Sequence, residues 1–208
     1  MTTIITIANQ KGGVAKTTTA ATLGHGLALS GRRVLIIDLD PQGHVAFSLG
    51  MDKTNGLQRL LVNRESIKKV VVNARPNLDI IPNDKTGEEV NRFATTLDFR
   101  EKVIINAVKG SGYDVIFLDT PPSIGMLNVA ALAASNWIII PTRLDAMAID
   151  GVNEILRSMA QVEDNGYHFD GYSILPTFFD RTTKETATQL REVVNAFGEK
   201  VWPPIPQD

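Results

Sequence analysis

Asn9-Gln10-Lys11-Gly12-Gly13-Val14-Ala15-Lys16-Thr17-Thr18 lies between an apolar run, Ile4 to Ala8, and an alanine-rich stretch with helical character. Strand, glycine-bearing loop and helix, in that order, are the context a phosphate-binding loop requires. Backbone N–H groups of a tight turn at a helix N-terminus converge on one spot. The helix dipole adds partial positive charge there, so a polyphosphate is held mostly by main chain. Residues 11–18 form that wall: Gly12, Gly13, Val14, Ala15 and Thr18 through the backbone, Lys16 by reaching the β- and γ-phosphates, and Thr17 by offering a hydroxyl to Mg²⁺.

The general pattern G-x-x-x-x-G-K-[ST] fails twice, because Gln10 and Ala15 stand where it has glycine. The stretch matches instead the deviant form x-K-G-G-x-x-K-[ST], with the extra lysine at Lys11. In this it resembles the ParA/MinD group of ATPases, above all the ParA partition proteins. That group usually has glycine before the second lysine, so Ala15 is a departure.

A chain of 208 residues is read as one domain, 1–208. Its hydrophobic fraction of 43% and charged fraction of 21% are ordinary for a globular protein, and no apolar run approaches a membrane span. No signal peptide is evident, and a cytoplasmic location is the expectation. The absence of cysteine excludes disulfides and thiolate metal ligands. A net charge of −2 gives no global case for nucleic acid binding. Late basic residues such as Arg157, Lys184 and Arg191 alternate with Glu154, Glu185 and Glu192, as on a solvated mixed-charge face.

Six short runs rich in Ile and Val, without strict alternation, read as strands buried on both faces: Ile4 to Ala8, Val34 to Asp38, Leu78 to Ile81, Val115 to Asp119, Trp137 to Pro141 and Tyr172 to Leu175. Helical patterns lie between them, over Thr17 to Ser30, from Phe99 through Val103, Ile104, Ala107 and Val108, and from Val152 to Val162. The alternation predicts an α/β fold, a doubly wound, mostly parallel sheet with helices on both faces. Thr182 to Glu185 fits a capping box, followed by a helical face of Ala187, Leu190, Val194 and Phe197. Residues 52–77 predict a short helix at Leu57 to Leu61 and then irregular chain. Val201 to Ile205 can begin a last strand, limited to an edge or turn by Pro203 and Pro204.

Ligands of open α/β sheets bind at the carboxyl ends of the strands. Two strands place acids there, in Asp38-Leu39-Asp40-Pro41-Gln42-Gly43 and in Asp119-Thr120-Pro121-Pro122-Ser123. Asp119 ends an apolar strand as a Walker B carboxylate does, which makes it a candidate for Mg²⁺ directly or through water. Asp38 and Asp40 lie on opposite sides of the backbone if the strand persists, and so have different tasks. The resemblance implies that these stretches are the first and second switches, with Asp40 acting on the attacking water and Asp38 next to the metal. It also implies that Thr177 and Asp180 lie near the nucleotide base, and that Lys11 contacts phosphates bound by a second subunit. His25, His44 and His168 show no metal-ligand spacing.

The resemblance covers most of residues 1–205, with His44 and Asn136 as further departures. It stops at Ile205-Pro206-Gln207-Asp208, short of the C-terminal extension that carries adenine contacts and DNA-binding helix in the group. It implies an ATP- and Mg²⁺-dependent ATPase that switches between monomer and homodimer. Such a protein would bind non-specific DNA of the nucleoid as the ATP dimer, answer to an adaptor protein that stimulates hydrolysis, and position a plasmid, chromosome region or large protein assembly. A membrane-targeting tail is not expected. Two alternatives stay open at this point: a non-hydrolysing nucleotide switch, motivated by Ala15, and a metabolic ATP-dependent synthetase of the same architecture.

Overall fold

The computed structural model describes residues 2–123 and 125–207. Its strands are β1 (Thr3–Ile7), β2 (Val34–Asp38), β3 (Val72–Arg75), β4 (Leu78–Ile81), β5 (Val115–Asp119), β6 (Trp137–Arg143) and β7 (Gly171–Thr177). They form one sheet in the order β3-β4-β2-β5-β1-β6-β7, parallel throughout except for the β3–β4 pair. The helices are α1 (Lys16–Leu29), α2 (His44–Ser48), α3 (Gly56–Leu61), α4 (Ile67–Val70), α5 (Gly87–Thr95), α6 (Val103–Val108), α7 (Met126–Ala134), α8 (Ala148–Asp164) and α9 (Lys184–Phe197).

The apolar runs lack alternation because both faces of the sheet are covered; all five residues of β2 are buried. Leu35 and Ile37, with Ile116 and Leu118, enter a core shared with α3, α5, α6 and α7. Ile36 and Phe117 face the other way, against Ala20, Ala21 and Ala28 of α1. Burial of each large side chain contributes on the order of 1.5–3 kcal/mol. A Cβ on Gly24 would come within 2.8 Å of Ile36 Cδ1, so this glycine lets α1 lie close on the sheet.

The same period of two positions the chemistry. Asp38 follows Ile36 by two residues and Asp119 follows Phe117 by two, so both carboxylates fall on the α1 side of the sheet. They are register partners on adjacent strands, and Ile7 pairs with Asp119 from the other side. The start of α1, the end of β2 and the end of β5 therefore meet at one corner.

Several expectations are corrected. The chain after α3 is not irregular: it forms α4 and the antiparallel edge strand β3. Helices α2, α5 and α7 carried no helical reading. Helix α7 is buried at six of its nine positions, so it lacks the polar stripe from which a period is read. Phe99 is no part of a helical face; it precedes a 3₁₀ turn with φ of 52° and is 72% exposed. The expected capping box fails, since the N-cap of α9 is Thr183 and makes no side-chain cap bond. Asp180 closes that turn instead, its Oδ1 accepting from the Thr182 N–H at 2.8 Å and hydroxyl at 2.6 Å. On α9 the fully buried residue is Val193, while Val194 is exposed. Val201 and Pro206 make isolated bridges, to Ile174 of β7 and to Phe179 just after it, rather than a strand, and Asp208 lies outside the described residues.

Candidate functional site

The loop between β1 and α1 is fixed from both sides. The Asn9 side chain is buried; its Nδ2 donates to Pro141 O at 2.8 Å and its Oδ1 accepts from the Lys11 N–H at 2.9 Å. Thr177 Oγ1 donates to Val14 O at 3.3 Å from the end of β7. Thr177 thus braces the loop, and Asp180 stands in the turn before α9. Ala15 adopts the left-handed conformation, φ 70° and ψ 30°, at the N-cap of α1. Its carbonyl accepts from both the N–H and the hydroxyl of Thr19, at 2.9 and 2.8 Å.

The methyl of Ala15 costs roughly 1–2 kcal/mol in that conformation, which glycine would not. Ala15→Gly is expected to stabilise the chain by about 1 kcal/mol net of the entropy glycine adds to the unfolded state, a rise of about 2–4 °C in melting temperature. A thermal melt of the two proteins checks it, and an unchanged or lower midpoint would refute the strain.

The two lysines of the loop part company. Lys16 is 7% exposed, and its ammonium donates to Lys11 O at 3.0 Å across the loop. Burial lowers its pKa, opposed by the charges of Asp119 and Asp40. Lys11 is half-exposed and points out of the loop to Asp145, with Nζ to Oδ2 at 2.5 Å. Asp145 Oδ1 also accepts from the Met147 N–H at 3.0 Å.

Thr17 Oγ1 donates to Asp119 Oδ2 at 2.6 Å, while Asp119 Oδ1 is buried with no partner among the described residues. Burial pushes Asp119 up to about 7, with the Thr17 hydroxyl and the Lys16 charge pulling it down. A cation beside Thr17 would satisfy that orphaned oxygen and offset its desolvation, so the pair fits a hard divalent metal. Asp38 is fully buried; its Oδ1 accepts from the Asp40 N–H and its Oδ2 from the Val45 N–H, both at 3.0 Å. Burial, then the neighbouring Asp119 charge, raises its pKa well above the carboxylate range. Asp38 therefore ties the first acidic loop to α2, and coordination by it would use the remaining lone pairs.

β2 ends at Asp38, so the expected placement of Asp40 on the opposite side of a continuing strand does not arise. Asp40 lies in a bend and accepts from the Gln42 N–H at 2.9 Å. That loop is backed by Asn83: a Cβ on Gly43, which has φ of 64°, would lie 2.3 Å from Asn83 O. Lys53 Nζ donates to Gln42 O from the outer side. Among the described residues no three or more His, Cys, Asp or Glu side chains gather where they could hold a metal ion.

Sequence reasoning missed Asn9, Asn83 and Asp145. Asp145 had a signal: it stands two residues past β6, at the strand end where Asp38 and Asp119 were sought. Asn9 and Asn83 act through burial, which their types do not announce.

A family profile described as an AAA domain matches residues 2–169. The sporulation initiation inhibitor protein Soj of Bacillus subtilis is 35% identical over 209 residues, covering 96% of this chain and 81% of that protein. This chain belongs to the ParA/MinD-type P-loop ATPases. The chromosome partitioning protein ParA of Caulobacter vibrioides is 32% identical over 96% of this ParA-type chain and 78% of its own length. Among solved structures, cobyrinic acid a,c-diamide synthase from Mycobacterium smegmatis with bound ATP analogue and magnesium superposes at a TM-score of 0.90. It shares 32% identity over 100% of this ParA-type chain and 88% of that one. No helix among the described residues is long and apolar enough to cross a membrane.

Proposed function

We propose that residues 1–208 form a single ATPase domain that switches between a monomer and an ATP-bridged homodimer, used to partition or position a cellular cargo. The observation that carries the reading is the divergence of the two lysines: Lys16 turns into its own loop and Lys11 turns out of it. ATP with Mg²⁺ supplies the phosphoryl group and the counter-charge. The backbone of residues 12–18 binds the phosphates, and Lys16 exchanges Lys11 O for phosphate oxygens. Thr17 and Asp119 would hold the metal, Asp38 fixes the loop that carries Asp40, and Asp40 would orient the attacking water. Hydrolysis by in-line displacement needs position and charge more than a strong base. Thr177 sets the loop from behind, and the turn that Asp180 closes would lie near the base.

The relatives support the cargo-positioning side of the reading. Non-specific DNA, a nucleoid location in the ATP state and an adaptor that stimulates hydrolysis belong to the same proposal. A synthetase that phosphorylates a small carboxylate is the second reading, favoured by the likeness to the M. smegmatis enzyme.

Light scattering with ATP, ADP or no nucleotide, alongside phosphate release, tests the proposal. A dimer confined to ATP is expected. A constant size whatever the nucleotide overturns the switch, and a phosphorylated small-molecule product would establish the second reading. Asp40→Ala should leave ATP bound and the dimer long-lived while turnover falls by about 10²-fold or more, the scale for a misplaced attacking group. Turnover at the parent rate would remove Asp40 from the mechanism.

A further inference from the structure

The loop that carries Asp40 closes largely on itself. Asp40 O accepts from the Gly43 N–H at 2.9 Å, which makes residues 40–43 a tight turn with Pro41 at its second position. Asp38 takes the Asp40 N–H at the base of that turn. Among the described residues, a single side chain from outside residues 38–45 hydrogen-bonds the turn itself. It is Lys53, whose ammonium donates to Gln42 O at 2.5 Å.

Lys53 stands in the stretch between α2 and α3, at an exposed position. Its stem meets the turn as well as its head. A Cβ on Gly43, which has φ of 64°, would lie 2.9 Å from Lys53 Cδ and 2.3 Å from Asn83 O, so two neighbouring segments close on the same residue. Past Gly43 the turn has little behind it. A cleft of about 540 Å³ opens there, lined by Pro41, Gln42 and Lys53 and by Asp84, Lys85 and Glu88. Among the described residues the Lys53 ammonium makes no ion pair with either acid of that cleft. Asp84 Oδ1 is occupied by the Thr86 N–H and hydroxyl, at 2.9 and 2.6 Å. The Gln42 carbonyl is thus the partner that Lys53 takes, although carboxylates share the same cleft.

Gln42 is gripped at both ends. Its N–H donates to Asp40 Oδ1 at 2.9 Å, and its carbonyl accepts from Lys53. Rotation of the Gln42 backbone would withdraw the N–H from the Asp40 carboxylate, and the Lys53 bond opposes that rotation. A charged donor holds a carbonyl more firmly than a neutral one does.

We propose that Lys53 is a positioning residue for Asp40: it holds Gln42, and through the Gln42 N–H it fixes the direction of the carboxylate assigned above to the attacking water. The effect on turnover rests on the ATPase reading above; the hold on the turn does not.

Two variants test it in the full chain. Lys53→Met keeps most of the stem and removes the charged donor, and Lys53→Arg restores one. At an exposed position both should melt within about 2 °C of the parent. Hydrogen exchange of the Gln42 and Gly43 amides, read by NMR without nucleotide, should quicken about threefold or more in Lys53→Met, the scale of one charged hydrogen bond screened by solvent. It should return to the parent rate in Lys53→Arg. Phosphate release at saturating Mg²⁺ and ATP should fall about three- to tenfold in Lys53→Met with KM for ATP unchanged, and recover to within about twofold in Lys53→Arg. In an Asp40→Ala background Lys53→Met should cost nothing more, because Lys53 acts through that carboxylate.

Unchanged exchange in Lys53→Met overturns the proposal, as does faster exchange in a chain whose turnover is untouched. A raised KM with turnover kept places Lys53 in ATP binding and overturns it too. So does a further loss in the Asp40→Ala background, or no recovery in Lys53→Arg. Faster exchange in Lys53→Met, when even the parent releases no phosphate, would strike the ATPase reading and leave the hold on the turn standing.

Discussion

Lys16→Ala should lower ATP affinity by about two orders of magnitude or more, because a charged hydrogen bond is worth roughly 1.5–3 kcal/mol and in the proposed site this ammonium would serve two phosphates. In the present structure the side chain is held over the loop by the Lys11 carbonyl, so no large rearrangement is needed to deliver it. The variant should remain folded, since the buried ammonium it removes carries a desolvation cost of its own. Titration calorimetry with Mg²⁺ and ATP measures the effect, and undiminished affinity would overturn the assignment.

Lys11→Ala should separate binding from assembly. ATP affinity should survive, because Lys11 points away from its own loop, while ATP-dependent dimerisation and turnover both collapse. For Lys11 to reach a second subunit's phosphates it must leave Asp145. Both partners of that pair are about one-third exposed, 34% and 31%, and such a pair holds by less than about 1 kcal/mol. A charge-assisted contact to phosphate, at roughly 1.5–3 kcal/mol, wins the exchange. ADP, without the γ-phosphate, offers less. In turnover the trans lysine would act as an arginine finger does, worth about 10³-fold or more. Light scattering and phosphate release on the same sample decide it: a variant that dimerises and hydrolyses normally returns Lys11 to a surface role.

The sheet was readable because fully covered parallel strands leave uninterrupted Ile and Val runs, as at Val34 to Asp38 and Val115 to Asp119. The candidate site was sought in the same places, since Asp38 and Asp119 end those runs and Lys16 and Thr17 begin the first helix. What escaped shares a cause. Strand β3 has one partner and three of its four residues exposed, so no apolar run announces it. Helix α7 is apolar at every position but Asn128 and hides its period. Val193 and Val194 are adjacent apolar residues, and only packing decides which turns inward. Asn9, Asn83 and Asp145 work through long-range contacts to Pro141, Gly43 and Lys11, which local pattern does not encode.

The segment after α9 lies along the outer side of β7. Trp202 and Ile205 donate to Ile174 and Pro176, and Phe179 and Gln207 complete the seam. Bonds of this kind use up the edge of the sheet. Pro203 and Pro204 bring no N–H to the new outer side, so the seam offers a poor template to any further chain. The other edge, β3, is four residues long and carries a register shift against β4, which also discourages pairing. With both borders blunted in this way, copies of the chain that crowd together during synthesis or on a shared surface have little means of zipping sheet to sheet into fibrils. The nucleotide-governed assembly proposed above would depend on that immunity to irreversible clumping.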